Sequence, residues 1–424
     1  MREDQIKNRE FSVDVIIPQY DEKPEVIKPL LDSIDFQIGV DKSKIGVIIV
    51  NDHNPAGKLP QEFLNSYPGL NIRYLETPEN KGPGQARQFG IDASEAEYLL
   101  FADADDRFYS CNVFHNFFEA LVQHKDKVVD IVYSKWIEEL KQPENNNLYL
   151  HVSHNADNTW VFSKLYRREF LTSRNIRFSE ELRVHEDAYF STISQMNAGT
   201  TLSIDNYSYF WCYNTASITR NKNNKYVYLV ESIDDLVKSI DTAMEELKKR
   251  KTPNRNEYIV KGVLFLFFLL NSSFWNTNLD TDEDLKRRRQ KFEYSLFKLL
   301  AKYKEEFNSF TRAEFLQFYN AERAQSLLNT GFESEYFTWD QFVTYLSNTY
   351  PKYSHTCSDC KYRQDGKECE FGGKCTISLD SDYGVYSTPT HWADPSIKDE
   401  PVNETPKKST ERKMNKNKNK TDNN

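Results

Sequence analysis

The sequence YLLFADADD at residues 98–106 places three carboxylates directly after a short apolar run. Such a run is typical of a buried strand. Carboxylates clustered at its end, Asp103, Asp105 and Asp106, are suited to a divalent cation that prefers oxygen ligands. A second acidic pair, Glu186 and Asp187, lies further along the chain and could supply a general base. The two acidic sites together predict metal-assisted chemistry on a phosphorylated donor.

The composition limits the class of protein. The chain has 424 residues, enough for a large core and an accessory region, because single cores stop growing at about 250–300 residues. Its 55 Lys and Arg against 64 Asp and Glu give a formal net charge of −9, which is not that of a general polyanion binder. The aromatic content of 14% suits a well-packed core and also surfaces on which sugars stack.

The hydropathy pattern indicates no targeting or membrane-spanning segment. Residues 1–10 are charged and polar, without the apolar core of a secretory signal. The most apolar stretch, residues 263–270, is far shorter than the ~20 residues of a spanning helix and predicts a buried helix. We therefore expect a cytoplasmic protein, with any membrane contact peripheral.

Periodicity in the first hundred residues predicts alternating strands and helices. The predicted strands are residues 13–17, 45–50, 71–75 and 97–102, and the predicted helices are 24–34 and 84–93. Pro18 is expected to end the first strand. This βαβαβαβ order indicates an α/β fold, a parallel sheet with right-handed crossovers and helices on both faces.

Polar residues follow three of the predicted strands, at residues 18–22, 51–53 and 103–106. Each cluster alone could be an ordinary turn. Ligands of parallel sheets, however, bind outside the carboxyl ends of the strands. Because the three clusters share that edge, they predict one binding crevice.

Five short motifs occur in order along the first half of the chain. They are IIPQYD at 16–21, VND at 50–52, NKGPGQARQ at 80–88, FADADD at 101–106 and ED at 186–187. In order and approximate spacing they resemble the inverting glycosyltransferases of family 2, which have the GT-A fold. Residues 160–171 and 175–178 resemble the acceptor-side half of that family. The resemblance covers roughly residues 11–220 and implies a Rossmann-like nucleotide-binding sheet.

The resemblance also implies which residues bind the donor. Pro18, Tyr20 and Asp52 would contact the nucleotide base, typically uracil. Arg87 would approach the nucleotide from the helix after a glycine-containing turn, where backbone N–H groups come close to phosphate. Asp21 belongs to the same donor loop and stands where the family usually has Asn.

The acidic residues acquire separate roles from the resemblance. Asp103 would bind the ribose or the water shell of the metal, and Asp105 of this DXD motif would ligate Mg²⁺ or Mn²⁺ across the diphosphate. Asp187 would be the general base that deprotonates the acceptor hydroxyl. Glu186 would orient the base or the acceptor.

Trp211 lies in a segment, residues 209–220, that resembles the one covering the donor in family members. Processive synthases have a fuller Gln-x-x-Arg-Trp sequence there, which is absent from this chain. A single transfer is therefore favoured over polymer synthesis.

Each of these residues also has a purely structural interpretation. Glu186 and Asp187 could be an acidic pair that the macrodipole favours at a helix N-terminus. Asp106 could cap a turn. Trp160 and Trp211 could be core aromatics, although such rings beside a sugar site often stack on the sugar.

The second half of the chain predicts accessory regions. The predicted domains are 1–224, a GT-A catalytic domain; 225–350, a helical accessory domain; 351–394, a Cys-rich segment; and 395–424, a disordered basic tail. The helical domain could select the acceptor or form a homo-oligomer. Cys357, Cys360, Cys369 and Cys375 could close a structural Zn²⁺ site, with disulfides or unliganded thiols as the alternatives.

The interpretation that the sequence favours is a metal-dependent transfer of one sugar from a UDP-sugar to an acceptor hydroxyl. The acceptor would be a cell-surface glycan or a teichoic-type polymer. One alternative is glucosylation of hydroxymethylated bases in viral DNA, to which the Cys-rich segment and basic tail point weakly; nucleic acid is not the favoured partner. Another is a non-catalytic protein that binds a nucleotide sugar or serves as a scaffold.

Overall fold

The computed structural model describes residues 11–142, 147–153, 160–214 and 225–256, together with single positions between 258 and 306. For residues 225–231 the backbone alone is described. The chain divides into two compact units, and the elements below lie in the first, which comprises Met1–Asn278 and Tyr303–Trp339. The Cys-rich segment, the basic tail and most of the predicted accessory domain lie outside the described residues.

Strands and short helices alternate through the first unit. The strands are β1 (Val13–Gln19), β2 (Ile45–Asn51), β3 (Asn71–Glu76), β4 (Tyr98–Phe101), β5 (Arg107–Phe108), β6 (Ile131–Lys141), β7 (Leu148–Val152), β8 (Lys164–Arg167) and β9 (Thr201–Trp211). The helices are α1 (Pro24–Asp35), α2 (Gln61–Asn65), α3 (Pro83–Ala93), α4 (Val113–Gln123), α5 (Arg168–Ser173), α6 (Glu186–Asn197) and α7 (Lys225–Arg250). The strands and helices predicted before residue 103 are all present, with ends that differ by one or two residues.

The nine described strands form one sheet in the order β3-β2-β1-β4-β8-β6-β9-β5, and β7 pairs with β6. β3, β2, β1 and β4 are parallel neighbours, as predicted. Beyond β4 the sheet is mixed, because β8 runs antiparallel to β4 and β6, and β5 runs antiparallel to β9. The sequence predicts only the parallel half.

Hydrophobic cores cover both faces of this sheet, as predicted. Alternate residues of β1 contribute to opposite cores: Val15 and Ile17 share one with α1 and α4, whereas Ile16 shares the other with α3 and α6. Every residue of β2 is buried, as expected for a parallel strand between two helical layers. The carboxyl edge of the strands is therefore the place left for a ligand.

β1 continues through Pro18 to Gln19, two residues beyond its predicted end. Pro18 pairs with Val50 of β2, but the last residue of β1 that pairs with β4 is Ile16. A proline is tolerated in a strand where no ladder hydrogen bond requires its missing N–H. β1 can therefore include Pro18, because β4 has already ended on that side.

α7 confirms the helical periodicity predicted from residue 226 onward. Its side chains Ala243 and Leu247 belong to the same core as those of α3 and α6. Within the described ranges, no helix is long and apolar enough to cross a membrane.

Gly90 lets α3 lie directly on β1. A Cβ at this position would stand 2.5 Å from Ile16 Cγ2. Alanine favours helix formation over glycine by about 1 kcal/mol. Overpacking is the larger effect, so we expect Gly90→Ala to lower the free energy of unfolding by about 1–3 kcal/mol. Urea denaturation followed by circular dichroism measures this change.

The control is the same substitution in an Ile16→Ala background. There the obstructing methyl group is gone, so Gly90→Ala should be neutral or stabilising. An equal loss of stability in both backgrounds would contradict the contact as the cause.

Candidate functional site

The three polar clusters predicted at strand ends do lie at one edge of the sheet. Gln19 of β1 is in register with Asn51 of β2, and Ile16 is in register with Phe101 of β4. Since these strands are parallel, the loops that follow them emerge on the same side. Side chains connect the first two loops, because Asn51 Nδ2 donates to Gln19 Oε1 at 2.8 Å.

Asp52 holds the turn that precedes α3. Its carboxylate accepts hydrogen bonds from the backbone N–H of Lys81 at 3.1 Å and of Gly82 at 2.7 Å, and Thr77 Oγ1 donates to it at 3.2 Å. Gly82 has a φ of 90°, a left-handed conformation that glycine adopts without strain. Asp52 is buried and shapes the start of α3, while its contact with a nucleotide base stays a prediction.

The loop after β1 is more accessible. Tyr20 is 50% exposed, its N–H donates to Glu22 Oε2 at 2.8 Å and its carbonyl accepts from Asn54 Nδ2 at 2.7 Å. Asp21 forms an exposed ion pair with Lys23. The backbone of this loop is fixed while the Tyr20 ring faces solvent, an arrangement open to a planar base.

Arg87 of α3 joins the two acidic motifs. Its side chain is only 6% exposed, its Nη1 donates to Glu186 Oε1 at 2.8 Å, and its Nη2 donates to Asp103 Oδ1 at 2.5 Å. A buried guanidinium with two charge-assisted hydrogen bonds fixes the relative position of both carboxylates. The loop after β4 and the start of α6 are thereby brought to one point, although they are far apart in the sequence.

Glu186 and Asp187 are the first two residues of α6. They therefore occupy the helix N-terminus that the structural interpretation predicts. Burial, together with the charge of Asp187, raises the pKa of Glu186 to about 7, although Arg87 opposes the shift. Burial also raises the pKa of Asp187, against the opposing charge of Arg87. A carboxyl with a raised pKa binds a proton more readily near neutrality, as a general base requires.

His185, immediately before this pair, has a left-handed backbone with a φ of 59°. Its carbonyl accepts from Ser239 Oγ at 2.8 Å, and its ring Nε2 lies 3.2 Å from Ser232 Oγ. α7 thus supports the turn that carries the acidic pair. This contact could not be predicted from the sequence, since periodicity predicts that α7 is helical but not which residues it contacts.

Asp106, the last acid of the loop after β4, is buried. Tyr209 Oη donates to Asp106 Oδ2 at 2.7 Å, and the Cys212 N–H donates to Oδ1 at 2.8 Å. Tyr209 Oη in turn accepts from the Asp103 N–H at 2.9 Å. Burial, together with the charges of Asp105 and Asp103, holds the pKa of Asp106 well above its ordinary value.

Asp105 lies beside the segment that follows β9. Its Oδ2 accepts from Asn214 Nδ2 at 2.9 Å, and the Tyr213 N–H donates to Glu139 Oε2 at 3.0 Å. Asn214 was not among the residues predicted from the sequence.

Aromatic rings line the end of β9. Trp211 packs edge to face on Trp160, with ring centroids 5.0 Å apart, and Phe162 stacks on Tyr209 at 4.3 Å. Trp160 and Trp211 are both partly exposed. Both pack against the hydrophobic core while part of each residue remains exposed.

The acidic loop, residues 102–106 between β4 and β5, has the chemistry of a Mg²⁺ or Mn²⁺ site. A bound ligand would supply the remaining oxygen atoms to the metal. The Asp103 side chain is 39% exposed and uses one oxygen for Arg87. Within the described part of the chain, no group of three or more His, Cys, Asp or Glu residues is arranged to hold a metal ion by itself. Magnesium in nucleotide sites commonly takes one or two carboxylates plus phosphate oxygens and waters, so the residues present fit that role. The four cysteines predicted for Zn²⁺ lie outside the described residues.

Part of the chain is similar in sequence to known proteins. A family model described as glycosyl transferase family 2 matches residues 14–183. The chain is 27% identical over 223 residues to the uncharacterized glycosyltransferase EpsJ of Bacillus subtilis, covering 49% of this chain and 62% of EpsJ. It is 25% identical over 203 residues to the poly(ribitol-phosphate) beta-N-acetylglucosaminyltransferase TarS of Staphylococcus aureus, covering 46% of this chain and 35% of TarS. The matches thus span less than two thirds of either relative.

The fold also resembles solved structures. The crystal structure of residues 1–349 of S. aureus TarS superposes with a TM-score of 0.53 at 17% identity, covering 89% of this chain and 99% of that one. The same fragment in complex with UDP-GlcNAc gives a TM-score of 0.51 at 16% identity. At such identities the likeness concerns the fold alone, a mixed α/β sheet of the GT-A type. Residues 14–183, which include the loops after β1, β2 and β4, thus match family 2 of the glycosyltransferases, and the relative EpsJ is named as a glycosyltransferase.

Proposed function

We propose that the protein transfers a single sugar from a UDP-sugar to an acceptor hydroxyl with inversion at the anomeric carbon. The family supports glycosyl transfer, and the TarS fragment with a similar fold has been crystallised with UDP and with UDP-GlcNAc. The observation that carries the proposal is the contact of Arg87 with both Asp103 and Glu186. It sets the loop suited to a diphosphate beside a carboxylate pair suited to a base.

The donor would lie along the carboxyl edge of the sheet. The Tyr20 ring is accessible for a base, and the turn held by Asp52 directs the start of α3 toward the same edge. Asp103 and Asp105 would hold Mg²⁺ or Mn²⁺, which when bound neutralises charge on the departing diphosphate. The partly exposed Trp211 would pack against the sugar.

The acceptor side would be served by Asp187. Its carboxylate takes the proton of the attacking hydroxyl as the new C–O bond forms on the face of the anomeric carbon opposite the diphosphate. The bond to the diphosphate oxygen breaks, UDP leaves, and the single displacement inverts the configuration. Glu186, held by Arg87 at 2.8 Å, would keep Asp187 in position without itself touching the reacting atoms.

For the acceptor we propose a hydroxyl of a polyol-phosphate polymer of the teichoic type. TarS, a relative with a similar fold, is named for transfer to poly(ribitol phosphate). The alternative of a modified DNA base draws on the Cys-rich segment and the basic tail, which lie outside the described residues.

The first test follows UDP release from a panel of UDP-sugars with Mn²⁺, with and without polyol-phosphate acceptor. We expect release with at least one donor and a loss of about 100-fold or more in kcat for Asp187→Asn, because a general base contributes roughly 10²–10⁴-fold. UDP affinity should stay within about twofold of the wild type, since the proposed role of Asp187 is on the acceptor and not on the nucleotide.

Glu169→Gln is the matched control for Asp187→Asn. Glu169 also lies in the first turn of a helix, α5, but its side chain is 80% exposed. Its substitution should leave kcat unchanged. Absence of release with every donor and acceptor would refute the enzyme function.

The pH dependence of transfer provides a second prediction. Because burial raises the pKa values of Glu186 and Asp187, the base is protonated at a higher pH than an ordinary carboxyl, whose pKa is about 4. We expect kcat, measured at saturating substrates, to begin to fall at a higher pH than an ordinary carboxyl would cause, as the pH decreases below about 7, where Glu186 takes up a proton. A rate that stays constant down to pH 4 would contradict these two groups as the base and its neighbour.

A third prediction concerns Arg87. Lysine keeps the positive charge but has no planar fork to reach both Asp103 and Glu186. We therefore expect Arg87→Lys to lower kcat by about 10–100-fold, since small misplacement of a reacting group has effects of this size. Steady-state kinetics, with circular dichroism as a check on folding, measures it.

Arg73→Lys is the comparison variant for Arg87→Lys. Arg73 also pairs with a carboxylate, Asp14, at 2.8 Å, but it lies on β3 away from the acidic loop. It should cost stability without changing kcat. Wild-type kcat for Arg87→Lys would show that the bridge to Asp103 and Glu186 is not needed for catalysis.

A further inference from the structure

Hydrogen bonds connect the acidic loop to Tyr209 and Cys212 at the end of β9. Asp106 accepts hydrogen bonds from Tyr209 Oη and from the Cys212 N–H, and Tyr209 Oη accepts from the Asp103 N–H. One hydroxyl therefore bridges the first and the last acid of the loop. Both Asp106 and Tyr209 are fully buried, at 1% and 0% exposure, so water does not compete for these bonds.

Asp106 is the buried acid of the loop, whereas Asp103 and Asp105 are partly exposed. The Asp103 and Asp105 carboxylates accept hydrogen bonds from Arg87 and Asn214. The loop also forms a tight turn, since the Asp106 N–H donates to the Asp103 carbonyl at 3.1 Å. Displacement of Asp106 would therefore move the backbone that carries the two partly exposed carboxylates of Asp103 and Asp105.

The same contacts reach the segment after β9. The Cys212 N–H is bonded to Asp106, and two residues later Asn214 is bonded to Asp105. Trp211 directly precedes Cys212 in the sequence and packs against Phe162, the ring that stacks on Tyr209. The buried carboxyl of Asp106 is thus bonded both to Tyr209, which contacts the loop, and to the residue that follows Trp211.

We propose that Asp106 and Tyr209 are positioning residues that set the Asp103 and Asp105 carboxylates for the metal and diphosphate of the donor. The inference depends on the proposed function, because it concerns the donor-binding role of those carboxylates. Neither Asp106 nor Tyr209 touches the substrate. They act by fixing the backbone at Asp103 and the strand end at Cys212.

The test is Tyr209→Phe, which removes the bridging hydroxyl and keeps the ring stacked on Phe162. UDP affinity is measured by isothermal titration calorimetry with and without Mn²⁺. We expect affinity in the presence of Mn²⁺ to fall about tenfold, since hydrogen bonds to charged groups have effects of this order. Affinity without Mn²⁺ should change by less than about twofold, and the donor KM should rise more than kcat falls.

Tyr67→Phe is the matched control. Tyr67 Oη also donates to a carboxylate, Asp32 Oδ1, at 2.8 Å, but on α1, away from the acidic loop. It should leave the Mn²⁺-dependent affinity for UDP unchanged. Asp106→Asn is the second variant, because an amide cannot accept from both Tyr209 and Cys212 through the same two atoms; it should repeat the pattern of Tyr209→Phe.

The outcomes separate this inference from the proposed function. If the wild type binds UDP with Mn²⁺ and both variants at Asp106 and Tyr209 bind it equally well, the positioning role is refuted while the function stands. An equal loss with and without Mn²⁺ would also refute it, because the effect would then be a general loss of structure. If the wild type binds no UDP under either condition, both proposals fall.

Discussion

Arg87 places one positive charge between two carboxylates at a point from which water is largely excluded. An unpaired charge buried in this way would be strongly destabilising, so the three groups have to be brought together. Their convergence requires α3, the loop after β4 and the start of α6 to meet at one point. The arrangement of the crevice follows from this constraint, because each of these elements carries one of the side chains that line it.

The two hydrophobic cores make such a meeting possible. Since helices cover both faces of the sheet, the strands are buried on both sides and their carboxyl ends remain for chemistry. α6 packs in the same core as α3, which puts Arg87 and Glu186 on neighbouring surfaces. The polar contacts of the site are thus oriented by apolar packing that lies next to them.

Local sequence patterns predict secondary structure and short motifs. The parallel strands β1–β4, the helices α1 and α3 and the acidic motifs follow from periodicity and composition. Such patterns do not predict contacts between residues that are distant in the chain. From the sequence Asp106 resembles a turn cap, whereas in the structure it bonds to Tyr209 and Cys212. Strands β5 to β9 were not predicted; the pairings of β4 with β8, β5 with β9 and β6 with β9 join segments far apart in the sequence. The predicted end of β1 at Pro18 was wrong, because the end of a strand depends on the neighbouring strands as well as on its own residues.

The acidic loop connects strands that are four positions apart in the sheet, β4 and β5. β5 has two residues, and its register sets Phe108 opposite Tyr209 and Arg107 opposite Phe210. A slip of one residue would exchange the buried Phe108 with the exposed Arg107, because successive side chains of a strand point to opposite faces. The loop is therefore a spacer of fixed length. Substitutions can change its side chains, but an insertion or deletion there would shift the register of β5 against β9.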